Sequence, residues 1–448
     1  MKNQVKFIFF VAILFFFACS KEETVQKQAF SAQQNLELFS DSGDRSPLQD
    51  TMFRPIVMVH GFLASGDTWT SFAQRFTSNG YSWRRIYVFD WNSLGGTSTN
   101  KDLDVFIDDV LKKTGFDKVD LIGHSAGGGT CYTYLQDPKA AAKVVHYVHV
   151  ASSKQSGPAG SNGIIPTLNI WSDGDKTVQG SDFQGCTNLK LINKDHYQVA
   201  TSKESFEAVY SFFKGKKPET LDVTYEDHPC IGGRALTFGE NNPAANAAIE
   251  IWEVDSKTGE RINAKAEVTT TTDAKGYWKP VFIKPKTNYE LTVKEQGTGK
   301  RTIHYYREGF THNNLLVYLR TIPPPGSLAG LLLAGLPTNK EQVVLNVFSS
   351  SQAVVNGRDS LTVDKTNFAT ATIAPASKTM IALFLYDTGN LKTDLTALPL
   401  FGNFTFLNGL DYYIDSSINK PVEVFMNNRT LRFKRWPADN NIVVTVFD

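Results

Sequence analysis

Apolar positions along the chain follow two different periods. Between residues 54 and 215, short unbroken apolar runs alternate with stretches in which apolar residues recur every three or four positions. Ile56-Val57-Met58-Val59 is one such run. Trp69, Phe72, Ala73 and Phe76 follow at the spacing of a single helical face, closed by Gly80. The pattern then repeats. Strands are predicted over 85–90, 119–122, 144–150, 168–171 and 189–192. Helices are predicted around Leu103, Phe106, Ile107, Val110 and Leu111, over 126–135, and around Phe206, Val209, Tyr210 and Phe213. Alternation of this kind predicts a parallel sheet with helices on both faces. Past Lys217-Pro218 the period shortens to two. Alternating runs at 248–254, 266–271, 278–283 and 289–293 are separated by turn signals such as Lys257-Thr258-Gly259 and Asp273-Ala274-Lys275-Gly276. Pro323-Pro324-Pro325-Gly326 makes a stiff break, and further runs follow at 342–348, 380–386, 422–425 and 442–446. The expected organisation is an α/β domain over 51–217, an all-β module over 218–322 and a second over 323–448. Whether the β regions form one domain or two stays open.

The first 50 residues read differently. Lys2 and Lys6 precede an uncharged apolar run over 7–18, too short for the roughly 20 residues of a spanning helix. This is the form of an export signal. It ends Phe16-Phe17-Ala18-Cys19, which resembles the lipobox of bacterial lipoproteins. The resemblance implies cleavage before Cys19, lipidation of that cysteine and anchorage at the outer membrane or cell surface. The polar stretch 19–50 reads as a flexible tether. Charge adds one exclusion. With 46 Lys and Arg against 45 Asp and Glu, the chain lacks the basic footprint of a nucleic-acid-binding protein. Four cysteines make no disulfide scaffold and lack zinc-ligand spacing. Cys186 and Cys230 are available to pair in an oxidising compartment, whereas Cys131 reads as a small buried residue.

The candidate chemistry lies in the α/β part. Gly123-His124-Ser125-Ala126-Gly127 is a G-x-S-x-G between a predicted strand and a predicted helix, the context of a nucleophile elbow. A serine hydroxyl needs a neighbouring base. His196 follows the last predicted strand of this part, in a loop at the same sheet edge as Ser125. The base in turn needs a carboxylate to fix its tautomer. Trp171-Ser172-Asp173-Gly174-Asp175-Lys176-Thr177-Val178 offers Asp175 and Asp173. Asp175 with Val178 three residues on resembles the D-x-x-V that carries the acid in many hydrolases of this class, and that resemblance favours Asp175, with Asp173 as the alternative. Donors for a developing oxyanion would be the backbone N–H groups of Ala126 and of Phe62, the latter in the loop after the first strand. His60 in that loop reads as a brace, and His124 as pointing away from the serine. This chemistry requires no cofactor and no metal.

Val59-His60-Gly61-Phe62 together with the G-x-S-x-G resembles bacterial α/β-hydrolase lipases and esterases. Asp117 to Ser125, Ala141-Ala142-Lys143-Val144, Ile165-Pro166-Thr167-Leu168 and His304-Tyr305-Tyr306-Arg307 resemble, more narrowly, the two-domain archaeal lipase type with a C-terminal β-barrel lipid-binding domain. The resemblance implies a serine carboxylic-ester hydrolase acting on acylglycerols or related esters. It supports Ser125, Asp175 and His196 as catalytic residues and Phe62 and Ala126 as oxyanion donors. One departure stands out: only Asn92 to Lys101 separates the second strand from the next helix, too short for that type's helical lid, so a more open site is expected. Ala247 to Glu253 with Gly276-Tyr277-Trp278 resembles the prealbumin-like modules appended to exported enzymes. The aromatic residues of the β part read mostly as core, and the leucine-rich 329–336 as a buried segment. Two further readings are an acyl esterase acting on polysaccharide, with a glycan-binding β part, and a non-catalytic surface binding protein. Oligomeric state is not readable from the sequence.

Overall fold

A computed structural model describes residues 53–95 and 99–448. The export signal, Cys19 and the tether lie outside the described residues. Six strands form one all-parallel sheet: β1 (Ile56–Val59), β2 (Ile86–Phe89), β3 (Val119–His124), β4 (Val144–Val150), β5 (Thr167–Ser172) and β6 (Thr187–Leu191), in the order β2-β1-β3-β4-β5-β6. The intervening helices are α1 (Thr70–Ser78), α2 (Thr99–Thr114), α3 (Ala126–Tyr134) and α4 (Lys203–Lys214). Alternation along β1 decides which face each residue serves. Ile56 and Met58 pack with Phe72 and Phe76 of α1 and with Phe206, Val209 and Tyr210 of α4. Val57 and Val59 pack on the other face with Leu103, Ile107 and Val110 of α2 and Cys131 of α3. Both faces of the sheet are thus covered, as a parallel sheet requires. Strand order reverses at β1, which pairs with β2 on one side and β3 on the other. The crevice at the carboxyl ends of strands flanking such a reversal is where open α/β sheets bind ligands. The loop after β1 and the turn after β3 both open there.

The β part begins with β7 (Cys230–Thr237). It continues with β8 (Ala248–Glu253), β9 (Val268–Thr271), β10 (Tyr277–Phe282), β11 (Tyr289–Lys294), β12 (Thr302–Arg307) and β13 (Leu319–Thr321). After the proline break come the short α5 (Leu328–Leu332), β14 (Leu345–Ser349), β15 (Leu361–Val363), β16 (Thr366–Asn367), β17 (Ala382–Tyr386), β18 (Leu407–Asp411), β19 (Val422–Met426), β20 (Arg429–Phe433) and β21 (Asn441–Phe447). An eight-stranded mixed sheet, β18-β17-β14-β21-β12-β11-β8-β9, takes strands from both sides of the break. Its join is the parallel pair β12–β21, with Ile303 opposite Ile442 and Tyr305 opposite Val444. Period-two patterning explains its two covered faces. Ile442, Val444 and Val446 point toward the three-stranded sheet β10-β7-β13, whereas Val443 and Phe447 point toward the four-stranded sheet β16-β15-β19-β20.

Candidate active site

Ser125 occupies the single-residue turn between β3 and α3, with φ 53° and ψ −125°. A non-glycine residue at positive φ is strained and persists only where its surroundings over-determine it. Here its N–H donates to Val150 O at 2.9 Å, and its carbonyl accepts from Ser152 Oγ at 2.6 Å. Close packing around the turn explains two of the glycines. A Cβ on Gly127 would lie 2.3 Å from His60 O, and one on Gly61 would lie 2.9 Å from Ser125 Cβ. The loop after β1 therefore runs directly against the serine side chain.

The acid and base meet. Asp175 Oδ2 accepts from His196 Nδ1 at 2.7 Å, both residues being buried. Asp175 Oδ1 accepts the N–H groups of Thr177 at 2.8 Å and Val178 at 3.0 Å, so both carboxylate oxygens are committed. Asp173 stands elsewhere. It is half-exposed, takes the N–H of Asn193 and pairs with Lys190, and these contacts hold its pKa below the usual carboxylate range. His196 precedes the helical turn Gln198–Thr201, and Asp195 fixes that turn by accepting the N–H groups of Tyr197 and Gln198. Burial pushes the Asp195 pKa up, opposed by Arg358 of the β part at 2.8 Å. Among the described residues no hydrogen bond reaches Ser125 Oγ; in unliganded sites such bonds are commonly long and tighten on binding.

His124 turns from the serine into the core, and there it supports the base. Its Nε2 lies 3.1 Å from His196 O and the two rings are 4.7 Å apart. Burial lowers the pKa of His124 strongly, lowers that of His60, and takes His149 to about 4, so all three are neutral near pH 7. His60 braces its loop: Nε2 accepts the N–H of Trp91 at 3.2 Å, while Nδ1 contacts Gly61 O at 2.8 Å. Two residues on, the Phe62 N–H finds no acceptor among the described residues. The Ala126 N–H opens α3, where first-turn donors lack an intrahelical partner.

The β part also reaches the site. Phe406 brings its ring 6.3 Å from that of His196 and 6.4 Å from that of Phe62. The site expected to be open is thus flanked by a side chain of the second β region. A pocket of about 80 Å³ lies between the α/β and β parts, lined by Leu63, Tyr197, Phe238, Phe384, Leu407 and Val444 among others; neither Ser125 nor His196 lines it. The segment 329–336 divides. Ala329, Leu332, Leu333 and Leu336 are buried, while Leu331 and the neighbouring Leu328 are each 55% exposed. Cys186 and Cys230 are free thiols and do not pair. Asn241, which bonds Ala64 O and Ser65 Oγ in the loop after β1, Arg358 and Phe406 escape sequence reasoning because each meets those partners, Asp195, or His196 and Phe62, from more than 150 residues away, with no local motif to mark it. Among the described residues no cluster of three or more potential ligands could hold a metal.

Comparison with known proteins divides the chain in the same way. Residues 54–156 match the model of the alpha/beta hydrolase fold, residues 228–324 that of the lipase C-terminal domain, and residues 342–448 a further C-terminal domain model. Among solved structures, a predicted CIB-like hydrolase from Thermoplasma acidophilum is 19% identical, with 38% of this chain and 90% of that chain covered and a TM-score of 0.30. The mature form of Bacillus licheniformis lipase BlEst2 is 14% identical, covering 38% and 95%, with a TM-score of 0.29. Naproxen esterase from Bacillus subtilis is 15% identical, covering 38% and 85%, also at 0.29.

Proposed function

We propose that this chain, an α/β hydrolase of the lipase and esterase type with a β-rich C-terminal part, cleaves carboxylic esters through Ser125, His196 and Asp175. The observations that carry the reading are the strained Ser125 on its strand-to-helix turn, whose neighbour His124 reaches His196 O at 3.1 Å, and the buried 2.7 Å pair of His196 and Asp175. With Nδ1–H committed to Asp175, the lone pair of His196 Nε2 is left to take the serine proton. Ser125 Oγ then adds to the ester carbonyl, and the oxyanion is held by the N–H groups of Phe62 and Ala126. Collapse expels the alcohol, which takes the proton back from His196. Water, deprotonated by the same imidazole, cleaves the acyl-enzyme to release the acid and free Ser125.

Phe406, whose ring lies 6.3 Å from that of His196 and 6.4 Å from that of Phe62, narrows the site and supports acyl groups of a few carbons. A second reading, toward long-chain lipids, draws on the outward Leu328, Leu331 and Leu400. A glycan platform is less well supported, because the exposed tryptophan faces are engaged: Arg261 lies 3.8 Å over Trp252, and Trp436 stacks on His304 at 4.2 Å. Attachment to a membrane through Cys19 remains part of the proposal on sequence grounds; among the described residues no helix is long and apolar enough to span one. Hydrolysis of p-nitrophenyl esters from C2 to C16 tests the substrate reading. Highest kcat/KM at C4 or below is expected, and a rise toward C16 would replace it with the long-chain one.

A further inference from the structure

We infer that Asn241, a residue of the β part, is a positioning residue for the oxyanion loop, acting through His60, Ala64 and Ser65 on the Phe62 N–H. The inference rests on the ester-hydrolase reading above. The loop after β1 is not self-supporting. Leu63, directly after Phe62, has φ 57° and so is held in the left-handed region without being glycine. Among the described residues the one backbone turn bond within residues 60–65, from Ala64 N to Gly61 O, is long at 3.4 Å. Something outside the loop must fix the Gly61–Phe62 peptide, whose N–H is the oxyanion donor and whose carbonyl meets His60 Nδ1, and the Phe62–Leu63 peptide that follows it.

Part of that support comes from Ser93, whose Oγ accepts the Leu63 N–H at 2.8 Å. The rest converges on one side chain. Asn241 Nδ2 donates to Ala64 O at 2.8 Å and to Trp91 O at 3.0 Å, and lies 3.2 Å from His60 Nε2. Its Oδ1 accepts from Ser65 Oγ at 2.6 Å. The amide is buried, and both its donors and its acceptor are used. Asn241 stands just beyond β7 at φ 58°, a conformation asparagine tolerates better than most residues. Thr237 O accepts its N–H at 3.1 Å, anchoring the side chain to the β part. Chemistry makes the position selective. Aspartate would turn carboxylate oxygens on the Ala64 and Trp91 carbonyls. Alanine would leave buried acceptors without donors.

Other contacts from the β part hold the next stretch and differ in kind. Arg234 and Tyr318 bind Asp90 Oδ2 at 2.6 and 2.7 Å, while Asp90 Oδ1 takes the Gly66 N–H. Arg320 binds Asp67 at 2.7 Å. These fix residues 66 and 67, where the helical turn after the loop begins; among the described residues the β part's hydrogen bonds to residues 60–65 come from Asn241, whereas Phe406 and the core around Leu63 make apolar contacts there. The lipase-type C-terminal domain thereby completes the hydrolytic site, beyond any part it has in engaging lipid.

The test uses the full chain. Asn241→Ala and Asn241→Asp are compared with wild type on p-nitrophenyl butyrate and against an aliphatic trifluoromethyl ketone, which forms an oxyanion on the serine. Losing an oxyanion donor outright costs about 10²–10³-fold in kcat. Misplacing one is expected to cost about 10–10²-fold in kcat with KM within about twofold, and the ketone Ki should rise in step. A merely structural role would lower the melting temperature and active fraction but leave kcat per titrated site and the ketone Ki unchanged. That result would overturn the inference, as would a rise in KM alone. If neither Asn241 variant folds, Ser65→Ala carries the test: a fall of a few fold in kcat at constant KM supports the inference, and an unchanged kcat overturns it. Ser125→Ala, run alongside, keeps the two claims separate. Its retention of activity would defeat the hydrolase reading itself, whereas an inactive Ser125→Ala beside a fully active Asn241→Ala would defeat only the inference.

Discussion

Replacing Asp175 by asparagine exchanges one carboxylate oxygen for an NH₂ group, and the structure dictates how the new amide must lie. Oδ1 of Asp175 accepts two backbone N–H groups, from Thr177 and Val178. An amide nitrogen there would set donor against two donors, so the oxygen of asparagine keeps that place. The NH₂ group then faces His196 Nδ1 at the 2.7 Å now occupied by Oδ2. Nδ1 must accept, the ring proton moves to Nε2, and the nitrogen facing the serine loses the lone pair it needs. Loss of the carboxylate also removes the charge that stabilises the imidazolium. In a serine protease with the same constellation this wrong tautomer costs about 10⁴-fold, equivalent to about 5.4 kcal/mol of transition-state stabilisation. The expected loss of kcat on p-nitrophenyl butyrate is of that order, with a near-native melting curve because volume and backbone bonds are retained. Asp173→Asn serves as the counterpart. Its carboxylate is half-exposed and binds only Asn193 and Lys190, so activity should stay within about twofold. A large loss at Asp173 with near-normal activity at Asp175 would refute the reasoning.

Three other outcomes follow from the packing and charge. Gly61→Ala would drive a Cβ to 2.9 Å from Ser125 Cβ; displacing either the loop or the serine should cost about 10²-fold in kcat, read with the same ester. Phe76 is fully buried against Tyr81, Phe206 and Tyr210, with ring centroids 4.9, 5.1 and 6.1 Å away. Phe76→Ala should therefore lower unfolding free energy by about 3–5 kcal/mol in urea titrations. Burial alone would raise the pKa of Glu290, but bonds from His304 at 2.5 Å and Arg261 at 2.6 Å outweigh it and hold it below the usual value. The stabilisation from this depressed pKa is complete above the unfolded value of about 4.3 and is lost as pH falls through the folded one. The stability gap between wild type and Glu290→Gln should narrow as pH falls below about 4; a gap that widens there would contradict it.

Much of this molecule is written in local pattern. The strand predicted over 144–150 is β4 residue for residue, because Val144, Val145, Tyr147, Val148 and Val150 give it a β-branched, apolar pattern that His146 and His149 do not break. The helix predicted from Phe206, Val209, Tyr210 and Phe213 is α4, whose buried face contains all four. The G-x-S-x-G is equally legible, since it stands between a strand and a helix that both read locally, and a Cβ on Gly123 would lie 2.7 Å from Gly127 O only four residues on. The reading does not single out β7. Its Gly232-Gly233 pair lowers strand propensity, yet Gly233 is needed because a Cβ there would lie 2.0 Å from Val317 O. Nor could the joining of the two β regions be read, since β12 and β21 pair across more than 130 residues with no local signal. Asn241 shows the same limit at the site. In the sequence it is a polar residue before Asn242-Pro243, a turn signal and nothing more. Its meaning comes from the loop it meets.

The central claim is that Ser125 is the nucleophile of an ester hydrolase. Its most direct test is to label the full chain with a fluorophosphonate and locate the adduct by peptide mass spectrometry, titrating esterase activity in parallel. The account predicts one adduct per chain, on the peptide carrying Ser125, formed in step with loss of activity and absent from Ser125→Ala. Activity that persists after Ser125 is fully modified, or that disappears with the adduct on another residue, would contradict it.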